Sequence, residues 1–174
     1  VTDLAARVRA AAVLEGDFLL RSGRRSRFYV DKYRFGTRPD LLAEIGDALA
    51  AKIAEVEPDS TRIAAPEVGA IALAAAASLR SGLPFVIVRK APKVYGTGQR
   101  LEGVYEAGER VVVVEDVVTS GGAAIDSVHA LRDAGLTCET VLCVVDREEG
   151  GSEAMAADGI TLHRLLDRAS LRVD

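Results

Sequence analysis

The sequence predicts an α/β fold built on a parallel sheet, and three observations carry that expectation. From residue 61 onward, short apolar runs alternate with amphipathic segments. The runs, at 61–65, 85–88, 110–114 and 140–145, are close to continuously apolar instead of alternating, as strands buried on both faces are. Gly82, Gly135 and Gly159 follow the intervening segments, at the position where a helix C-terminus favours glycine. Strand and helix in alternation give a sheet flanked by helices.

The elements follow in order. Residues 3–14 are Ala-rich with apolar positions at helical spacing and read as a short helix. Residues 18–31 hold two extended apolar pieces around a basic turn with Ser22-Gly23, which reads as a hairpin. A long helix is expected over 39–55, with Pro39 in its first turn. Further helices are expected over 70–80, 122–134 and 152–157. Residues 91–108 resist assignment and contain Lys93, Tyr95, Gly96, Thr97, Gly98, Gln99 and Gly103. A loop of that length is either functional or a surface hairpin. No linker or repeat interrupts the chain, so residues 1–174 are expected to form a single domain.

Composition narrows the function. With 174 residues and 49% hydrophobic content there is enough chain for a sizeable core. A formal charge of −4 gives no general attraction to nucleic acid or anionic membrane. Any bound anion must therefore be held by a local cluster. Cys138 and Cys143, the two cysteines, match no zinc or redox spacing. No stretch approaches the ~18 apolar residues of a membrane span. Residues 1–12 mix acid and base without an apolar core, so no signal peptide is expected and the cytoplasm is the expected location.

Ligands of open parallel sheets bind at the carboxyl ends of the strands. Arg89 and Lys90 follow the second run, Glu115 and Asp116 the third, and Asp146 and Arg147 the fourth. Pro66, Glu67, Val68 and Gly69 follow the first. The sharpest segment is Glu115-Asp116-Val117-Val118-Thr119-Ser120-Gly121-Gly122-Ala123. A strand delivers two carboxylates, and Thr-Ser-Gly-Gly then opens a helix. Backbone N–H groups in such a turn, with the helix N-terminus behind them, cradle a phosphate. The acids suit hydroxyl donors instead. A phosphate cradle beside a sugar clamp describes a ribose 5-phosphate site. Neither a Walker loop nor a dinucleotide fingerprint is present in this segment.

This segment is similar to the PRPP-binding motif of type I phosphoribosyltransferases, where PRPP is 5-phosphoribosyl-1-pyrophosphate. The resemblance implies a parallel sheet with a small N-terminal hood, from about residues 1–35, and a flexible catalytic loop. It implies that Glu115 and Asp116 bind the ribose hydroxyls, and that Thr119, Ser120, Gly121, Gly122 and Ala123 hold the 5-phosphate. Phe18-x-Leu20-x-Ser22-Gly23-x-x-Ser26-x-x-Tyr29-x-Asp31 resembles the opening of the orotate phosphoribosyltransferases. Arg89-Lys90-x-x-Lys93 resembles the start of their catalytic loop, and Val145-Asp146-Arg147 the stretch whose arginine contacts orotate. Together these pieces span roughly residues 18–147.

The resemblance further implies transfer of the phosphoribosyl group from PRPP to orotate, giving orotidine 5′-monophosphate and pyrophosphate. Mg²⁺ would be held through PRPP and water and not directly by the protein. Arg89, Lys90, Lys93 and Tyr95 would face the pyrophosphate, with Lys93 the catalytic residue. Tyr95 stands where many members have histidine, and Val68 lies in a segment where some carry lysine. Arg21, Phe28, Tyr29, Thr119 and Arg147 would form the orotate site. Phe28 and Tyr29 are equally consistent with hood packing, and Arg147 with a surface pair to Asp146 or Glu148. A homodimer sharing its loops across subunits is implied, with no nucleic-acid or membrane partner. His129 and His163 are expected to be structural. Two alternatives stay open: a phosphoribosyltransferase for another base, and a non-catalytic PRPP- or nucleotide-sensing regulator.

Overall fold

A computed structural model describes residues 2–19, 23, 25–91 and 99–173. Helix α1 (Thr2–Ala12) buries Leu4, Ala5, Val8 and Ala12 along one face. It ends two residues before the expected boundary, because Val13 and Leu14 pair with Val30 and Tyr29 instead. Those pairs join β1 (Val13–Leu19) to β2 (Arg25–Val30) in an antiparallel hairpin, where a β-branched residue at the start fits better than in a helix.

A short helix, α2 (Lys32–Gly36), follows, and no helical period signals it. The side chain of Asp31 caps it by accepting the Tyr33 N–H at 3.2 Å. Five residues are too few to display a helical period. Helix α3 (Pro39–Val56) then matches its expected span to one residue and buries Leu41, Ile45, Leu49 and Ile53.

The main sheet has six strands: β3 (Arg62–Pro66), β4 (Phe85–Val88), β5 (Leu101–Glu102), β6 (Arg110–Val118), β7 (Thr137–Asp146) and β8 (Thr161–Leu166). Their order is β5-β4-β3-β6-β7-β8. All neighbours are parallel except β5, which runs antiparallel to β4 at the edge. Helices α4 (Gly69–Ser81), α5 (Gly122–Asp133) and α6 (Gly151–Ala157) make the crossovers. Gly82, Gly135 and Gly159 take φ of 76°, 83° and 68° behind them.

Apolar residues fill both faces. Ile63, Ala65, Val112, Val114, Leu142 and Val144 pack with α1, α3 and α4. Ala64, Val111, Val113, Val141 and Cys143 pack with the α5 and α6 side. Successive strand residues thus serve opposite layers, which explains the continuous apolar runs. Burial of each large aliphatic side chain contributes about 1.5–3 kcal/mol. At the opposite end from the strand C-termini, Arg62 forms a two-pronged pair with Glu109, at 2.9 and 2.8 Å. Strand order reverses between β3 and β6, the place where open sheets leave a crevice. Among the described residues no helix is long and apolar enough to cross a membrane.

Candidate active site

Strand β6 runs on past Val114 to Val118, so Glu115 and Asp116 lie within the strand and not in a turn after it. Pairing of Glu115 with Cys143 and of Val118 with Asp146 prolongs the ladder and fixes both carboxylates. Each is buried: Glu115 is 7% exposed and Asp116 2%. The Asp116 N–H donates to Glu115 Oε1 at 3.0 Å, and the Val117 N–H to Asp116 Oδ1 at 2.6 Å. Asp116 Oδ2 meets Lys32 Nζ, from α2, at 2.8 Å. Burial first, and then the negative charge of Asp116, push the Glu115 carboxyl up to about 8.

Two cavities adjoin this pair. One, of about 210 Å³, is lined by Lys32, Glu67, Val68, Gly69, Lys90 and Asp116 among others. The second, of about 520 Å³, is lined by Lys90, Glu115 and the loop from Val117 through Thr119, Ser120, Gly121, Gly122 and Ala123. Gly121 has φ 81° and precedes α5, so the loop turns directly into a helix N-terminus. A Cβ on Gly121 would stand 3.1 Å from the Gly151 carbonyl oxygen, so the loop also needs glycine for space.

Arg89 and Lys90 follow β4. The Arg89 N–H donates to the Arg100 carbonyl at 2.8 Å, and Arg100 Nε returns a bond to the Arg89 carbonyl at 3.1 Å. Arg100 is held in turn by Asp126 of α5, at 2.5 and 3.2 Å. These bonds close the neck of the excursion between β4 and β5 beside the smaller cavity. Lys93 and Tyr95, like Arg21, lie outside the described residues.

A third cluster forms where β7 ends. The Arg147 N–H donates to the Val118 carbonyl at 2.9 Å, which ties it beside Thr119. Its side chain is buried and pairs with Glu149 at 2.9 Å. The surface pair with Asp146 or Glu148 is not formed, because Arg164 takes both acids, at 3.3 and 3.6 Å. Instead the Arg147 guanidinium sits 4.8 Å from the ring centre of buried Phe28, and Arg168 stands 5.6 Å from the same ring. Tyr29 points to the other side of β2, as strand alternation requires, and packs on Phe18 at 5.7 Å. Phe28 therefore joins Arg147, and Tyr29 does not.

A phosphoribosyl transferase domain matches residues 35–163. The chain is 51% identical to the orotate phosphoribosyltransferase of Methanocella arvoryzae over 161 residues, 92% of this chain and 90% of that one. The chain belongs to the orotate phosphoribosyltransferase family. Identity to the Halobacterium salinarum member is 47%, over 97% of this chain and 95% of the relative. The Mycobacterium tuberculosis orotate phosphoribosyltransferase, solved in complex with PRPP, superposes with a TM-score of 0.83 at 33% identity, over 99% of this chain and 98% of that one.

Three features of this family member's cavity have no counterpart in the sequence motifs. Lys32 reaches Asp116 from α2, Glu67 accepts the Lys90 N–H at 2.8 Å, and Asp126 anchors Arg100. Each joins elements far apart in sequence. Only the helix-capping Asp31, next to Lys32, offers a local signal for any of them. His129 pairs with Asp158 at 2.5 Å, and neither histidine lines the two cavities.

Gly69 is a point of close approach. A Cβ there would fall 1.8 Å from Asp116 Oδ2 and 3.1 Å from Lys32 Cε. Gly69→Ala is expected to displace the Asp116 carboxylate, with a loss of about 1–3 kcal/mol in stability as for other overpacked sites. Thermal unfolding and a PRPP titration check both effects. Unchanged PRPP affinity would show that Asp116 has room to move.

The Glu115 shift has a stability consequence. Between the ordinary carboxylate range and about 8, the folded chain keeps a proton that the unfolded chain has released. Stability contributed by this group is therefore lost as pH rises through that window. Glu115→Gln removes the titration, so its melting temperature should rise relative to the wild type's from pH 5 to about pH 8 and level off above that. Parallel melting curves for the two proteins would remove Glu115 as the source.

Proposed function

We propose that this chain transfers the 5-phosphoribosyl group from PRPP to orotate, giving orotidine 5′-monophosphate and pyrophosphate, a step of pyrimidine biosynthesis. The observation that carries the reading is the continuity of β6. A buried acid pair passes through Val117 and Val118 into a glycine-bearing turn and the start of α5, and Arg147 is bonded to the same strand end. This continuity supports reading the three in turn as sugar clamp, phosphate cradle and a cation for the orotate carboxylate.

In this reading Glu115 and Asp116 accept hydrogen bonds from the ribose hydroxyls, which favours an ionised Glu115. The N–H groups and hydroxyls of residues 119–123 hold the 5-phosphate. Arg147 offers a planar fork to the orotate carboxylate, with Phe28 packed against its guanidinium. Anchored at both ends, the sugar presents C1 to the ring nitrogen of orotate, which replaces pyrophosphate at that carbon. Orientation and charge neutralisation lower the barrier, without a covalent intermediate. Arg89, Lys90 and Lys93 face the leaving pyrophosphate, and closure of the loop that carries Lys93 excludes water.

In this reading Mg²⁺ is carried on the substrate. Among the described residues no group of three or more His, Cys, Asp or Glu side chains is placed to hold a metal. The side chains of Glu67, Glu115 and Asp116 line the cavity, where Glu67 and Asp116 are already engaged by the Lys90 N–H and by Lys32. A hard cation with phosphates keeps several waters and needs few protein ligands. Bound there, it supplies positive charge against the departing pyrophosphate.

A homodimer sharing its loops across subunits goes with this reading, in line with the prevalence of two-fold dimers. A reducing compartment such as the cytoplasm fits Cys138 and Cys143, both buried and unbridged. Burial pushes the Cys138 thiol up to about 11 and raises Cys143 as well, so neither is a ready nucleophile. The decisive assay follows orotate absorbance on adding PRPP and Mg²⁺, with purine bases in parallel. Loss of absorbance with orotate alone upholds the proposal. Turnover with a purine instead, or PRPP binding without turnover, sinks the base assignment.

A further inference from the structure

The smaller cavity has little cationic surplus. With Glu115 keeping its proton near neutral pH, its lining carries the charges of Glu67, Asp116 and Asp126 against those of Lys32, Arg89, Lys90 and Arg100. Arg100 and Asp126 neutralise each other at 2.5 Å, and Arg89 lies 3.8 Å from Glu102. Removing Lys32 would leave this lining with no net positive charge, although the ligand proposed for it is a polyanion. Lys32 is 35% exposed at its side chain, while its partner Asp116 is almost fully buried. Burial opposes the Lys32 charge, but the close pairing with Asp116 outweighs that and raises its pKa.

The two ends of the substrate can be told apart by geometry. The loop of residues 119–123 and the start of α5 line the larger cavity, which Lys32 does not reach. Lys32 lies with Glu67, Val68 and Gly69 at the N-terminus of α4, on the other side of the acid pair. With ribose on the acids and the 5-phosphate in the larger cavity, the group on C1 extends toward α4 and Lys32.

We propose that Lys32 is a pyrophosphate-binding residue that exchanges partners, leaving Asp116 for the pyrophosphate of PRPP as the ribose hydroxyls take the Asp116 carboxylate. This rests on the phosphoribosyl-transfer reading above. The chemistry suits lysine. Its ammonium is a compact charge on a flexible stem with three donors, so it can turn from a monoanion to a more highly charged neighbour without moving the backbone. Asp116 Oδ1 is already held by the Val117 N–H, and Oδ2 is the oxygen that Lys32 occupies. A ribose hydroxyl that donates to Oδ2 competes directly with Lys32.

The test titrates Mg²⁺–pyrophosphate and ribose 5-phosphate separately, by calorimetry, into wild type, Lys32→Gln, Lys32→Arg and the double variant Lys32→Gln/Val68→Lys. Val68 lines the same cavity and is 64% exposed, so a lysine there can offer its charge to the same space. Loss of one charge-assisted contact should weaken pyrophosphate in Lys32→Gln by roughly tenfold or more. Ribose 5-phosphate should bind as well as before, or better once its competitor for Asp116 is gone. Lys32→Arg should retain most of the pyrophosphate affinity, and Val68→Lys should restore part of it. Pyrophosphate affinity unchanged in Lys32→Gln overturns the proposal. So does an equal fall for both ligands with a lowered melting temperature, which marks Lys32 as a structural counter-ion only. Wild type that binds neither ligand would overturn the phosphoribosyl reading itself.

Discussion

Lys93→Ala should lower turnover by about two to three orders of magnitude, the loss typical of removing one preorganised group that stabilises developing charge. As the C1–O bond breaks, negative charge builds on the pyrophosphate, and Lys93 is the cation assigned to meet it there. Lys93 itself lies outside the described residues, but its anchorage does not. The excursion that carries it is tied at its neck by the reciprocal Arg89–Arg100 bonds and by the Arg100–Asp126 pair. Its ends are thus fixed beside the cavity that holds Lys32 and Lys90. The expected signature is a large fall in kcat with a smaller change in PRPP affinity, since in the proposed mechanism Lys93 acts mainly as the bond breaks. Single-turnover kinetics with a parallel PRPP titration check this. A variant that keeps kcat and loses only PRPP affinity would assign Lys93 to ground-state binding.

Arg147→Ala should cost about two to three orders of magnitude in kcat/KM for orotate. Truncating one partner of a buried charge pair costs about 2–5 kcal/mol or more, and this guanidinium belongs to a residue only 5% exposed. The change also removes one of the two cations over the Phe28 ring and the 2.9 Å ion pair to Glu149. Some loss of stability is therefore expected alongside the kinetic effect. PRPP affinity should change little, because the acid pair and the 119–123 loop do not depend on this side chain. Arg147→Lys should recover only a small part of the activity, since an ammonium lacks the planar fork. Equal losses for PRPP and orotate would show that Arg147 supports the whole strand end and not the base site.

Much of this is present in the order of residues. The buried strands announce themselves because both of their faces are covered, so β3, β4, β6 and β7 read as nearly unbroken apolar runs. Helix α3 is visible from its period and its proline, and the glycines behind α4, α5 and α6 from the left-handed backbone they adopt. The acid pair and the 119–123 loop are contiguous, so their joint chemistry needs no long-range contact to be recognised. Local signals fail where packing overrides them. Val13 and Leu14 continue a helical pattern until strand pairing claims them, and α2 and β5 are too short to carry a period at all.

The base site is legible only in part. Phe28 and Tyr29 are neighbours in sequence, but strand alternation sends Phe28 to Arg147 and Tyr29 to Phe18. Likewise, Arg147 could have paired with Asp146 or Glu148 had Arg164 not come from β8 to take them. The layered α/β scaffold and the ribose-phosphate motif follow from the order of residues, because both rest on periodicity or on adjacent residues. The setting of charge around that motif arises instead from long-range packing. Lys32 on Asp116, Gly69 against the same carboxylate and Arg100 on Asp126 each join distant elements. Such pairings depend on where the folded backbone brings side chains together, and a list of residues does not contain that geometry.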